Sequence, residues 1–215
     1  MPRSRTRSNA APSMLAPYSS VAGEAFRSLR TDIGFGHKDP LRSLLVTSAQ
    51  SGDGATTVAT NLAVAFAHAG RHVLLIDADL RNPDVHARFG LSNDHGLSDW
   101  LRALDGGSPA TLIDATRTAN LKVLKAGAPP ANPAELIGSP RMHELLNGSH
   151  DGNLVIVNGP AALGASEAAV LAALADATLV VVGMGRTALN DVVVARDVLG
   201  RSAQEVLGTV LNRRW

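Results

Sequence analysis

The strongest constraint on this chain is a change of hydrophobic period around its fiftieth residue. An apolar run, Leu44-Leu45-Val46, leads into a glycine-containing loop from Gln50 to Gly54 and a helical stretch from about Ala55 to Ala69. Gly70 and a second apolar run, Val73-Leu74-Leu75-Ile76, follow. Strand, helix and strand in that order form a βαβ unit, with Gly70 where a helix C-terminus favours glycine. The helix is apolar nearly all round, as a helix packed on a sheet can be. Further strand candidates are Leu121–Leu124, Leu154–Val157, Leu179–Val182 and Val206–Leu211. Helical patterns lie around Pro140–Leu146, Ser166–Leu174 and Leu189–Leu199, and Gly127–Asn132 reads as a loop. Strands alternating with helices predict an α/β fold: a doubly wound, mainly parallel sheet with helices on both faces.

Composition agrees with that reading and closes other routes. The 215 residues include only four Phe, two Trp and one Tyr, so the core must be built from Ala, Val, Leu and Ile, as in a sheet buried on both faces. The same scarcity argues against binding single strands of nucleic acid by stacking, and a formal charge of +1 gives no field that favours nucleic acid. Without cysteine there are no disulfides, thiolate metal sites or thiol catalysis, which suits a cytoplasmic location. The histidines show no metal-ligand spacing. No apolar run approaches the roughly 20 residues needed to cross a bilayer.

Residues 1 to about 20 carry Arg3, Arg5 and Arg7, several Ser and Pro, and no acid, so they are expected to be a flexible tail ahead of a domain spanning 21–215. A helix is predicted from about Ala22 to Ile33, docking through Phe26, Leu29 and Ile33 while Glu24, Arg27 and Thr31 face away.

A doubly wound sheet binds its ligands beyond the carboxyl ends of its strands. After the first strand stands Ala49-Gln50-Ser51-Gly52-Asp53-Gly54-Ala55-Thr56-Thr57. A phosphate loop has a small residue, four positions, Gly, Lys, then Ser or Thr. Its backbone N–H groups cradle phosphates, the lysine reaches the β and γ oxygens, and the hydroxyl ligates magnesium. Here the frame is kept by Gly52, Gly54 and Thr56, but Ala55 occupies the lysine position. A hydrogen bond to a charged group is worth about 1.5–3 kcal/mol net, or roughly 10- to 150-fold in affinity. Binding of ATP or ADP with Mg²⁺ is therefore expected to be weakened, and catalysis, which also uses the lysine charge, to suffer more. At the second strand end, Asp77, Asp79 and Arg81 form Asp-x-Asp-x-Arg. If the strand continues through Asp79, the two carboxylates point to one side and can hold Mg²⁺ with Thr56.

These residues resemble the bacterial tyrosine kinase family, the CpsD/CapB-like relatives of the MinD and ParA ATPases, from about Val21 to Arg213. Asp77, Asp79 and Arg81 match its second Walker-type motif. Pro83 and His86, Gly96-Leu97-Ser98-Asp99, Ala126-Gly127, Pro130 to Leu136 and Ser139 to Met142 follow its later blocks in order. The resemblance implies a P-loop NTPase fold, ring assembly through Glu24, Arg27 and Arg30, and a nucleotide held by residues 52–57, Arg81, Asn212 and Arg213, with the Asn-Arg pair near the adenine. It also implies a role in capsule or exopolysaccharide production.

Three departures from the family pattern stand out. Ala55 replaces the lysine, and Asn158 stands where the third motif has an aspartate holding magnesium through water. Asn158 accepts hydrogen bonds but lacks the charge. The family's C-terminal tyrosine cluster is not expected either, since the sequence ends at Trp215 and its only tyrosine is Tyr18. Together they point to a pseudokinase that retains Asp77 and Asp79. Its expected partners are the cytoplasmic end of a membrane polysaccharide co-polymerase, reached by recruitment to the inner face of the plasma membrane, or an active paralogous kinase in a homo- or hetero-oligomer. Two alternatives are an active tyrosine autokinase using a compensating basic residue, and a MinD/ParA-like positioning ATPase. The latter is disfavoured because Thr47 to Gln50 lacks the extra lysine of that group.

Overall fold

The computed structural model describes residues 15–17, 19–36, 41–103, 107–148 and 152–213. Arg3, Arg5, Arg7 and Tyr18 lie outside the described residues. The chain runs through α1 (Val21–Gly36), β1 (Ser43–Ser48), α2 (Ala55–His68), β2 (Val73–Asp77), α3 (Val85–Phe89) and α4 (Leu97–Arg102). A short 3₁₀ turn (Pro109–Leu112) leads to β3 (Ile113–Ala115), β4 (Leu121–Leu124), α5 (Pro133–Ile137) and α6 (Pro140–Gly148). The last elements are β5 (Leu154–Asn158), α7 (Ser166–Leu174), β6 (Ala177–Gly183), α8 (Leu189–Gly200) and β7 (Val206–Asn212).

The strands form one sheet in the order β3-β4-β2-β5-β1-β6-β7, parallel throughout except for β3 against β4. Side chains alternate across a strand, so each apolar run feeds two cores. Leu45, Ile76, Val155, Val157, Val180 and Val182 face a core covered by α4 to α8, where Trp100, Met142, Leu146, Leu171 and Leu199 pack. Leu44, Val46, Leu75, Val123, Ile156 and Val181 face the other, closed by Ile33, Val58, Leu62, Phe66 and Val85 from α1, α2 and α3. Burial on both faces is why the strands read as continuous apolar runs rather than alternating ones.

The predicted architecture is thus the one found, with local differences. The first helix continues to Gly36, held on α2 by Ile33, Phe26 and Leu29. β3, α3, α4 and α5 are absent from the sequence reading. Each spans three to six residues, too short for its period to register. Part of the expected tail is tied down: the Ala16 N–H donates to Asn61 Oδ1 on α2 at 2.7 Å.

Candidate functional site

The loop between β1 and α2 is shaped by backbone that only glycine adopts freely. Gly52 and Gly54 have φ of 84° and 103°, in the left-handed region, and turn the chain so that α2 starts at Ala55. Close packing adds a second constraint at Gly54, where a Cβ would run into the Asn212 side-chain amide, which donates to the Asp53 carbonyl at 2.8 Å. The loop that follows β5 is pinned alongside. Gly159 N–H donates to Val46 O at 3.0 Å, Ala162 N–H to Ser48 O at 2.8 Å, and Thr47 Oγ1 to Pro160 O at 2.6 Å.

Between these loops lies a cavity of about 650 Å³ at the carboxyl ends of the strands. Its walls include Ser51, Gly52, Gly54, Ala55, Thr56 and Thr57 from the first loop and helix, Asp79, Arg81, Asp84 and Arg88 after β2, and Asn212 and Arg213 after β7. The head of the 14-residue α2 opens onto it with its positive dipole end. The sequence-predicted residues Gly52, Gly54, Ala55, Thr56, Thr57, Asp79, Arg81, Asn212 and Arg213 therefore share one space.

Three others do not join them as expected. Asp53 turns its carboxylate inward, accepting from Gln50 N–H at 3.0 Å and Thr187 Oγ1 at 2.6 Å, so its side chain fastens the loop to the segment after β6 instead of facing a ligand. Gly183 makes that possible, since a Cβ there would stand 2.6 Å from Asp53 Oδ1. β2 ends at Asp77, so Asp77 and Asp79 do not flank one strand face. Asp77 is fully buried. Its Oδ1 accepts from Asn158 Nδ2 at 2.9 Å and its Oδ2 from Val85 N–H at 3.1 Å, tethering α3, and it does not line the cavity. Asn158, also 0% exposed, spends its amide N–H on Asp77, and its Oδ1 is buried without a partner. The expected water-mediated role is replaced by a direct side-chain bond, because Asn can donate to the neighbouring carboxylate where Asp would repel it.

Burial pushes the Asp77 carboxyl up to about 7, against the pull of the Asn158 and Val85 hydrogen bonds. Burial also raises Asp79, opposed by the Asn82 N–H that donates to its Oδ1 at 3.0 Å. Of the residues proposed to hold magnesium, Thr56 and Asp79 reach the cavity, and Asp77 does not. No cluster of three or more His, Asp or Glu side chains is arranged to hold a metal ion among the described residues.

Several polar groups were missed at the level of sequence. Arg81 Nε donates to Glu167 Oε1 at 2.8 Å, with the Glu167 side chain 2% exposed. Arg88 is held through Nε and Nη2 by Asp84 Oδ2, at 2.9 and 2.6 Å. Arg186, after β6, lies over the glycine loop: its Nη2 donates to Ser51 O at 3.4 Å, and a Cβ on Gly52 would meet it at 2.8 Å. The Asp84/Arg88 spacing of four was a readable helical ion-pair signal. Nothing in the sequence marked Glu167 or Arg186.

The family blocks around Gly96 and Gly127 serve packing. Leu97 N–H and Ser98 N–H donate to Lys125 O and Ala126 O at 2.7 and 2.8 Å, and neither Gly96 nor Gly127 lines the cavity. On α1, Arg27 pairs with Glu24, and Arg30 Nη1 donates to Ala65 O at 3.2 Å.

Residues 44–214 match the CobQ/CobB/MinD/ParA nucleotide binding domain family. The chain is 38% identical over 197 residues to the tyrosine-protein kinase YwqD of Bacillus subtilis, covering 90% of this chain and 81% of that one. It is 34% identical over 199 residues to the putative tyrosine-protein kinase CapB of Staphylococcus aureus, covering 90% and 85%. The kinase domain of the Escherichia coli tyrosine kinase ETK superposes with a TM-score of 0.86 at 32% identity, covering 97% of this chain and 84% of that domain. A glycine-turned loop heading α2, the Asp-x-Asp-x-Arg strand end and this similarity along nearly the whole domain agree: the chain belongs to the bacterial tyrosine kinase family within the MinD/ParA-type P-loop NTPases.

Proposed function

We propose that this protein is a pseudokinase of the bacterial tyrosine kinase family that acts by binding rather than by turnover. The observation that carries this reading is the pair of replacements inside an otherwise preserved cradle. Ala55 stands where phosphoryl transfer needs a lysine, and Asn158 is bonded to Asp77 where the family pattern places two carboxylates beside magnesium. The protein retains the phosphate-binding turn and the helix that carries Glu24, Arg27 and Arg30, so it keeps surfaces for assembly while lacking the charges for chemistry. Its role is then regulatory or scaffolding in capsule or exopolysaccharide production. It works from the cytoplasmic side, on the cytoplasmic end of a membrane polysaccharide co-polymerase or in mixed oligomers with an active paralogous kinase. No helix among the described residues is long and apolar enough to cross a membrane.

The test is a radiolabelled-ATP assay with magnesium and added tyrosine-containing substrates, including the candidate co-polymerase segment. The expected result is no transfer above a no-enzyme control, and robust transfer to tyrosine defeats the proposal. One observation favours a second reading, an active autokinase with a substitute cation: Arg81, Arg88 and Arg213 all line the cavity. That reading requires turnover that disappears when one of these arginines is removed. A positioning ATPase of the MinD/ParA kind has less support, because Gln50 stands in the loop region where that group carries its additional lysine.

A further inference from the structure

We propose that the cavity at the head of α2 takes a nucleoside di- or triphosphate without magnesium, with the Arg88 guanidinium supplying the positive charge that the missing lysine would have brought. The proposal rests on the binding role above and names what is bound and how.

The residues present do not fit a magnesium ion well. Mg²⁺ demands a near-octahedral oxygen shell and is usually held by one or two carboxylates together with waters and phosphate oxygens. Here Asp77 has both oxygens occupied by protein donors and lies outside the cavity. Asn158 turns donor hydrogens, not an oxygen, toward Asp77, and its own Oδ1 is sealed in protein. That leaves the Thr56 hydroxyl and two carboxylates already engaged by protein donors: Asp79 accepts from Asn82 N–H, and Asp84 Oδ2 accepts twice from Arg88.

Positive charge is instead available from the protein. Arg81 is drawn toward the buried Glu167 through its Nε. Arg88 is better placed. Its side chain is 14% exposed, and Asp84 Oδ2 fixes both Nε and Nη2, while Nη1 has no hydrogen-bond partner among the described residues. A guanidinium fixed on one edge keeps its orientation and presents its free donor to an anion at little cost in side-chain entropy. The opposing dipole of α2 and the glycine-loop N–H groups supply the rest of the attraction for phosphate.

Titration calorimetry of ADP into the full chain, in excess MgCl₂ and in excess EDTA, tests this. The expected result is binding in EDTA at least as tight as in magnesium. Arg88→Ala should weaken ADP binding in EDTA by about ten- to a hundredfold, and Arg88→Lys should recover part of the loss. Asp84→Asn keeps a side-chain oxygen that accepts from Arg88 but removes the negative charge from the cavity wall, and should tighten binding. If Arg88 served structure alone, both Arg88→Ala and Asp84→Asn would weaken binding. Tightening by magnesium of about tenfold or more, an unaffected Arg88→Ala variant, or no ADP binding in either buffer overturns the proposal. Magnesium-dependent binding would do so while leaving the absence of phosphoryl transfer intact, whereas measurable transfer would strike the functional reading itself.

Discussion

Restoring the family aspartate at position 158 should destabilise this protein rather than repair it, with a pH dependence of fixed sign. Asn158 Nδ2 lies 2.9 Å from Asp77 Oδ1, and both residues are 0% exposed. In Asn158→Asp the donor becomes a second carboxyl. Two ionised carboxylates at 2.9 Å repel by about 6 kcal/mol at an effective dielectric constant of about 20. Keeping the new carboxyl protonated at pH 7 costs only about 4 kcal/mol, given an unfolded-state pKa of about 3.9 and about 1.4 kcal/mol per pH unit. The cheaper route wins, so the pair shares a proton and the acid hydroxyl takes over the amide's hydrogen bond. The folded-state pKa of the added group is raised, so the variant matches the parent below about pH 4 and loses ground as the pH rises. The deficit is about 1.5 kcal/mol at pH 5 and about 4 kcal/mol at pH 7. Asp77, which burial pushes up to about 7 and the Asn158 hydrogen bond pulls down, faces a second carboxyl in the variant and is raised further, a change of the same sign. Urea unfolding of parent and variant at the two pH values, without magnesium, measures the difference. Equal stability at pH 7, or a larger loss at pH 5, would refute the buried Asn158–Asp77 bond as the reason for the effect.

Ala55→Lys combined with Asn158→Asp should raise Mg·ADP affinity by roughly 10- to 150-fold in titration calorimetry, because the lysine adds a charged hydrogen bond to the phosphates. Equal affinity of parent and double variant would mean that the missing charges are unimportant. Gly183→Ala should cost about 1–3 kcal/mol of stability by thermal or urea unfolding, as a methyl 2.6 Å from Asp53 Oδ1 forces the loop anchor apart. An unchanged unfolding curve counts against the Asp53 anchor. Arg27→Ala with Arg30→Ala should lower the particle mass seen by light scattering; a parent protein that is already monomeric contradicts the assembly role.

The layered architecture was legible in the sequence because both faces of the sheet are buried. Burial on two sides makes Leu44 to Val46, Val73 to Ile76 and Leu154 to Val157 uniformly apolar, and that signal needs no tertiary context. The glycine loop was legible for a local reason too, since Gly52 and Gly54 adopt left-handed backbone that other residues pay to enter. The identities of Ala55 and Asn158 likewise showed which charges were missing. What sequence could not assign was direction. Whether Asp53, Asp77 and Asn158 face a ligand or the protein depends on Thr187, Gly183 and Val85, which lie eight to 134 residues away and come together only when the sheet is assembled. Arg88 belongs to the same class: its place in the cavity wall follows from α3 packing against α2, held there by the Asp77 carboxylate, which accepts from Val85 N–H. Local propensity and period fix elements, while long-range packing decides which polar groups have already found partners and which remain for a ligand.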